Sequence, residues 1–271
     1  MNSETVVNHI VNWLIDYARN SNTKGFVIGI SGGIDSALTS TLGAKTGLPL
    51  ICVEMPIYQN KNQVTRAKEH INFLKNNFPN VSSQEVELTP VFDAFLQAVP
   101  KVKNEQDRNM SLVNTRSRLR MTTLYYFAAL HNCLVLGTGN KIEDFGVGFF
   151  TKYGDGGVDL SPIANLLKSE VYELAQFLGI KEAILLAPPT DGLWGDDRTD
   201  EDQIGASYPE LEWAMNVVDN KIGEENNTQR QKEVLAIYRR LNTINRHKML
   251  PIPVCEIPSN LKKLFKVQST K

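Results

Sequence analysis

The run Ser31-Gly32-Gly33-Ile34-Asp35-Ser36 sets two hydroxyls, two glycines and a carboxylate between an apolar stretch, Gly25 to Ile30, and a helix-like segment opening at Ile34. A Gly-containing turn from a strand into a helix N-terminus is an anion site, because its backbone N–H groups point at the ligand and the helix dipole favours negative charge. The glycines let phosphate oxygens approach the main chain, Ser31 and Ser36 add donors, and Asp35 puts a carboxylate where magnesium can bridge to phosphate. Gly29, Ile30, Ser31, Gly32, Gly33, Ile34, Asp35 and Ser36 thus read as a cradle for a nucleoside triphosphate. Two rival readings fit the same residues. Gly29-Ile30-Ser31-Gly32-Gly33 also satisfies G-x-S-x-G, the nucleophile elbow of serine hydrolases, and a tight turn without chemistry would look alike. An elbow normally follows several strands, yet one helix precedes Ser31, and an elbow gives Asp35 and Ser36 no role. No G-x-x-x-x-G-K-[ST] string occurs, and no G-x-G-x-x-G follows a strand.

The elements that must position this loop alternate. Val6, Val7, Ile10, Val11, Leu14, Ile15 and Ala18 recur at helical spacing and predict an N-terminal helix over about residues 2–20. Strands are expected at Gly25 to Ile30, Leu48 to Glu54, Gln84 to Leu88 and Cys133 to Thr138, with polar helical stretches between them. That order predicts an α/β fold, a doubly wound and mostly parallel sheet with helices on both faces. Ligands of such sheets bind beyond the carboxyl ends of the strands, which aligns Ser31, Met55 and Thr138 along one crevice. Asp107 to His131 reads as a long helix whose Arg116, Arg118 and Arg120 form, on spacing alone, a solvated face. Gly146, Gly148, Gly154, Gly156 and Gly157 then call for tight turns or backbone close to a ligand. Asn165 to Leu178 is an amphipathic helix, and Asp191 to Asp202 is an acid-rich segment around Arg198, by itself a solvated loop. Gln229 to Ile244 looks helical within a helical C-terminal part of about 203–271, whose tail from Pro251 is punctuated by Pro and Ser.

With 271 residues, 42% of them hydrophobic, the chain can bury a full core, and one domain is the simpler expectation. Its 29 basic and 30 acidic residues leave a net charge of −1, which removes any bulk attraction to nucleic acid. Cys52, Cys133 and Cys255 lack C-x-x-C spacing and read as reduced thiols. No basic, apolar leader follows Met1 and no run reaches membrane-spanning length, so a cytoplasmic protein without a membrane partner is expected.

Two further blocks, Gly137-Thr138-Gly139-Asn140-Lys141-Ile142-Glu143 and Gly148-Phe149-Phe150-Thr151-Lys152-Tyr153-Gly154-Asp155-Gly156-Gly157, join the SGGxDS loop in resembling the ammonia-dependent NAD synthetases of the ATP pyrophosphatase superfamily. The resemblance runs from about Gly25 to Lys248. SGGxDS alone is shared with GMP synthetases, asparagine synthetases and tRNA-modifying enzymes, so the glycine-rich block is the more specific part. The family implies an adenine nucleotide alpha hydrolase-like fold and a ligase that amidates deamido-NAD, nicotinic acid adenine dinucleotide, to NAD. In that reaction the nicotinate carboxylate attacks the α-phosphate of ATP, pyrophosphate leaves, and ammonia displaces AMP from the acyl-adenylate.

Carried over by position, the resemblance implies that Thr138, Lys168 and Thr190 join Gly29 to Ser36 and Met55 on ATP, with Asp35 and Lys168 catalytic. It implies Mg2+ on Asp35 and Glu143, with Asp144 the fallback, and deamido-NAD on Arg118, Lys152, Asp159, His247 and Lys248. Residue type alone would make Lys168 an ordinary helix lysine, His247 a surface residue and Asp159 a turn cap. The family also implies a homodimer, with the Asp107 to His131 helix in its interface, and a lid made by the acidic segment. Two features depart from the typical pattern: Asp144-Phe145-Gly146-Val147 carries one extra residue, and Gly139-Asn140 stands where others have Asp-His. About two dozen residues precede the first strand, too few for a glutaminase domain, so free ammonia is the expected donor. Against this stand XMP or tRNA as superfamily substrates and a non-catalytic ATP sensor. Near-neutral charge and the lack of a cysteine pair weigh against tRNA, and a missing dimerisation domain against XMP.

Overall fold

Four short runs become strands in the computed structural model, which describes residues 1–190, 192–194 and 198–262. β1 (Gly25–Gly29), β2 (Leu50–Glu54), β3 (Val81–Glu85) and β4 (Cys133–Val135) lie in the order β3-β2-β1-β4. Every pair is parallel, with Val27 opposite both Ile51 and Val135. Because side chains alternate across a strand, Phe26 and Ile28 face the opposite side of the sheet from Val27, and both sides are buried. Parallel sheets need that double cover.

On the Phe26 side lie α1 (Ser3–Asn20), α2 (Ile34–Lys45) and α3 (Lys61–Asn77). α1 presents Val7, Ile10, Val11 and Leu14 inward, and the Asn2 side chain caps it at the Thr5 N–H. On the Val27 side lie α4 (Thr89–Ala98), through Phe92, and α5 (Glu105–His131), through Leu119, Leu124, Phe127 and Ala128. Asn104 caps α5 at the Gln106 and Asp107 N–H groups, and Asn132, left-handed at φ 55°, stops it. α6 (Lys168–Phe177) and α7 (Glu182–Leu185) return to the Phe26 side, whereas Ile204 of α8 (Asp200–Ile204) packs with the C-terminal helices. α9 (Tyr208–Asp219) and α10 (Gln229–Met249) close a separate apolar cluster over Val147, Leu211, Met215, Val234 and Tyr238.

β1 ends one residue before the expected Ile30 and β2 begins two residues after the expected Leu48, and the other two strands depart further. β3 occupies Val81–Glu85 rather than Gln84 to Leu88, because it is an edge strand with Val81 alone fully buried, and its register with β2 sets its ends. Leu88 instead caps α4. β4 stops at Val135 rather than Thr138, and beyond it Leu136 keeps only a single parallel bridge, to Leu160. Among the described residues no helix is long and apolar enough to cross a membrane.

Candidate active site

β1 runs straight into the loop, with the Ile30 N–H still bonded to the Val53 carbonyl at 3.0 Å. Gly32 turns the chain at φ +82°, where a Cβ would lie 2.5 Å from the Gln63 carbonyl oxygen, so only glycine lets the loop rest on α3. Gly33 occupies the N-cap of α2 without a side-chain cap, which leaves the first amides of the helix for a ligand. The Ser36 hydroxyl donates to the Gly33 carbonyl at 3.0 Å, so the 3.0 Å contact between the two serines is Ser31 donating to Ser36. Ser31 Oγ in turn accepts the Gly33 N–H. Its hydroxyl is thus held within the loop and not by a histidine, which removes the geometric basis for a nucleophile elbow.

Beside the loop lies a buried charge cluster. Lys168, at the start of α6, is 2% exposed, and its Nζ donates to Asp35 Oδ2 at 2.6 Å and to Glu143 Oε1 at 3.1 Å. The ammonium also sits 4.7 Å above the Tyr208 ring. Asn140 Nδ2 donates to Asp35 Oδ1, and its Oδ1 accepts the Ile142 and Glu143 N–H groups. Tyr208 donates its hydroxyl to Glu143 Oε1 at 2.5 Å. Burial alone would lower the Lys168 pKa, but the two carboxylates outweigh it and hold the ammonium above its ordinary range. Burial likewise lifts the Glu143 carboxyl, against the pull of Lys168. Asp144 is pushed up to about 8 by burial and by the charges of Glu143, Asp155 and Asp35.

Glu143 and Asp144 lie on a π-helical turn, Ile142–Val147. Such turns widen a helix to take in an additional residue and recur at functional sites, which matches the one-residue surplus in the sequence here. Gly139 belongs to the same adjustment: a Cβ there would fall 2.1 Å from the Asp144 carboxylate. Asp35 and Glu143 therefore meet on one cation while Asp144 packs against Gly139. Among the described residues, no group of three or more His, Cys, Asp or Glu could hold a metal unaided. A pair of carboxylates beside a phosphate cradle does suit magnesium, which takes one or two protein carboxylates and completes its shell with phosphate and water.

A cavity of about 260 Å³ opens over this cluster and is lined by twelve of the thirteen residues expected on ATP and magnesium: Gly29, Ile30, Ser31, Gly33, Ile34, Asp35, Ser36, Met55, Thr138, Glu143, Lys168 and Thr190. Gly32 is not among the lining residues, and its carbonyl accepts the Arg66 Nε–H. Asp191, Asp196 and Asp197 of the acidic segment lie outside the described residues, as does the tail beyond residue 262.

Four of the five residues expected on the dinucleotide gather elsewhere, around the glycine-rich block. Lys152 Nζ donates to the His247 carbonyl at 2.6 Å, and Arg118 donates to the Lys152 carbonyl at 3.3 Å. Lys248 Nζ bonds the Gly148 and Phe150 carbonyls. Asp159 stands apart, its carboxylate accepting the Val135 N–H and the Tyr125 hydroxyl. The solvated-face reading of the α5 arginines holds for Arg118 alone. Arg116 lies 4.5 Å over Phe92 and donates to the Leu193 carbonyl, and Arg120 donates to the Met55 carbonyl and Gln59, so both turn inward. Sequence reasoning missed Tyr208, Asn140 and Arg66. Asn140 had a signal, as part of the departure from Asp-His, whereas nothing local marks Tyr208 or Arg66.

A parallel sheet with a phosphate-type loop at the end of its first strand and a Lys-carboxylate cluster beside it defines an α/β protein of the adenine nucleotide alpha hydrolase type. The sequence profile of the NAD synthase family matches residues 6–251. The NH(3)-dependent NAD(+) synthetase of Carboxydothermus hydrogenoformans is 39% identical over 78% of this chain and 85% of its own length. That of Syntrophomonas wolfei is 37% identical over 97% and 100%. Among solved structures, an NMN synthetase from Francisella tularensis superposes with a TM-score of 0.80 at 32% identity, covering 96% of this chain and 99% of that one. The chain belongs to the NAD synthase family.

Proposed function

We propose that this protein is an ammonia-dependent NAD synthetase, a C–N bond-forming ligase that converts deamido-NAD, ATP and ammonia to NAD, AMP and pyrophosphate. The observation that carries this reading is Lys168 bound to Asp35 and Glu143 beside the Ser31 to Ser36 loop, inside a chain of this family. A carboxylate is a poor electrophile until adenylated, and its attack on ATP brings two anions together. Catalysis therefore rests on positioning and charge neutralisation. The first-turn amides of α2 hold phosphate oxygens, and Lys168 meets charge that grows on the departing pyrophosphate. Asp35 and Glu143 would hold Mg2+, which when bound supplies further neutralisation of the phosphates. Arg118, Lys152, Asp159, His247 and Lys248 form the dinucleotide side of the reading. A homodimer through α5 and a cytoplasmic place of work belong to the same proposal.

Incubation with ATP, magnesium, ammonium and deamido-NAD should yield NAD with stoichiometric AMP and pyrophosphate; ADP and orthophosphate without NAD would overturn the reading. The likeness to an NMN synthetase favours a second reading, with the mononucleotide as acceptor. Curated relatives of higher identity support the dinucleotide. Competition between deamido-NAD and nicotinate mononucleotide in one vessel decides between them, since the preferred acceptor is amidated first.

A further inference from the structure

Arg66, on the second turn of α3, is half-buried in the wall of the cavity. Its Nε–H donates to the Gly32 carbonyl at 3.1 Å, which fixes the plane of the guanidinium against the back of the loop. Among the described residues, neither terminal nitrogen has a hydrogen-bond partner and no carboxylate pairs with the group. The other two cations lining the cavity differ. Lys168 is held by Asp35 and Glu143, and Arg120 by the Met55 carbonyl and Gln59. Burial lowers the pKa of Arg66 with no carboxylate opposing it. A guanidinium taken partly out of water without a counter-ion is unfavourable unless a ligand supplies the anion.

We propose that Arg66 is a phosphate ligand, its two free terminal nitrogens gripping the β,γ-phosphates of ATP and then the pyrophosphate that leaves. Anchoring by Nε leaves the end of the fork, which matches two phosphate oxygens as a lysine cannot. Its anchor is the loop itself, so the grip and the backbone amides are held in one frame. The proposal rests on the ATP-dependent reading above. In that step the nicotinate oxygen forms a bond to the α-phosphorus, and the bond from the α-phosphorus to its bridging oxygen breaks. Pyrophosphate departs with the electron pair, and Arg66 meets that added charge without giving up a proton.

Wild type is assayed first, because failure to make NAD, AMP and pyrophosphate would reject the synthetase reading whatever Arg66 does. Calorimetric titration with magnesium pyrophosphate, and separately with AMP, then compares wild type with Arg66→Met and Arg66→Lys. Loss of a charge-assisted pair should weaken pyrophosphate by about tenfold or more in Arg66→Met, leave AMP within about twofold, and be partly restored in Arg66→Lys. Product inhibition by pyrophosphate should weaken in parallel, while KM for deamido-NAD stays put. Unchanged pyrophosphate affinity in a folded Arg66→Met, or equal weakening of both ligands, would overturn the proposal and leave Arg66 a clamp on the Gly32 carbonyl. If Arg66→Met does not fold, Arg66→Lys against wild type carries the same comparison, since it keeps the charge and loses the fork.

Discussion

Lys168 satisfies two carboxylates at once, and its removal separates two quantities that usually move together. In Lys168→Met the substrate still finds the loop amides, but the ammonium proposed to meet the charge growing on pyrophosphate is gone. Turnover should fall by about a hundredfold or more, whereas KM for ATP changes by less than about threefold. Steady-state kinetics check this, and an unchanged turnover would remove Lys168 from the chemical step. The same variant leaves Asp35 and Glu143 buried and unopposed, so its thermal midpoint without ligand should drop, in line with a loss of about 3–5 kcal/mol for a broken buried pair. His70 is a second buried group with a measurable signature. Its Nε2 lies 2.9 Å from Ser40 Oγ, and its Nδ1 is buried without a partner among the described residues. Burial brings its pKa down to about 4, against a stabilising backbone bond at Ala37. The folded state thus binds this proton less readily than the unfolded chain, where histidine titrates near 6.5. Stability from this group is complete above about pH 6.5 and is lost as pH falls toward 4, by about 3 kcal/mol in all. Chemical denaturation across pH 4–7 should show a shallower acid limb in His70→Gln, and superimposable limbs would refute the assignment.

At the scale of elements, the C-terminal helix and the π-helical turn are one assembly. Asn242 donates to the Gly146 carbonyl at 2.7 Å, Asn245 to the Val147 carbonyl at 2.8 Å, and Lys248 to Gly148 and Phe150. Three side chains at helical spacing thus satisfy carbonyls that the turn leaves open. Gly148 permits the contact: it is left-handed at φ +65°, and a Cβ would lie 2.4 Å from Asn245 Cβ. Gly148→Ala should therefore cost at least about 2 kcal/mol, from left-handed strain and overpacking together, and raise KM for deamido-NAD by moving His247 and Lys248. Denaturation and kinetics on the same preparation test both halves; wild-type stability would show that α10 yields without cost. The loop from Ser31 to Ser36 was legible in the sequence because its turn and its donors are consecutive residues, and the apolar runs announced the sheet. The edges were not, since pairing with a neighbour rather than composition fixed β3, and Arg116 and Arg120 turned inward through contacts with Phe92, Leu193, Met55 and Gln59. Tyr208 and Arg66 reach the site from α9 and α3, so only packing brings them to residues far away in the chain.

At the scale of the whole molecule, α5 has two apolar aspects, and the sheet uses one. Leu119, Leu124, Phe127 and Ala128 pack on β1 and β4, while Tyr126 and Leu130 stand 63% and 60% exposed. Arg118, Thr122, Tyr126 and Leu130 follow one another at i,i+4 spacing, so a single exposed stripe joins the basic group near Lys152 to the exposed apolar end. A second copy seated on that stripe would cover the apolar residues and bring its own surface up to Arg118. The proposed dimer and the proposed dinucleotide site should then fail together. In a Tyr126→Glu, Leu130→Glu double variant, like charges facing across a symmetric contact should shift sedimentation from dimer to monomer. KM for deamido-NAD should rise with that shift, and KM for ATP should hold, because the loop and Lys168 lie within one chain. The double variant leaves the buried face of α5 untouched, so its circular dichroism should match wild type. A wild-type protein that sediments as a monomer, or a monomeric variant with unaltered KM for deamido-NAD, would separate the stripe from the site.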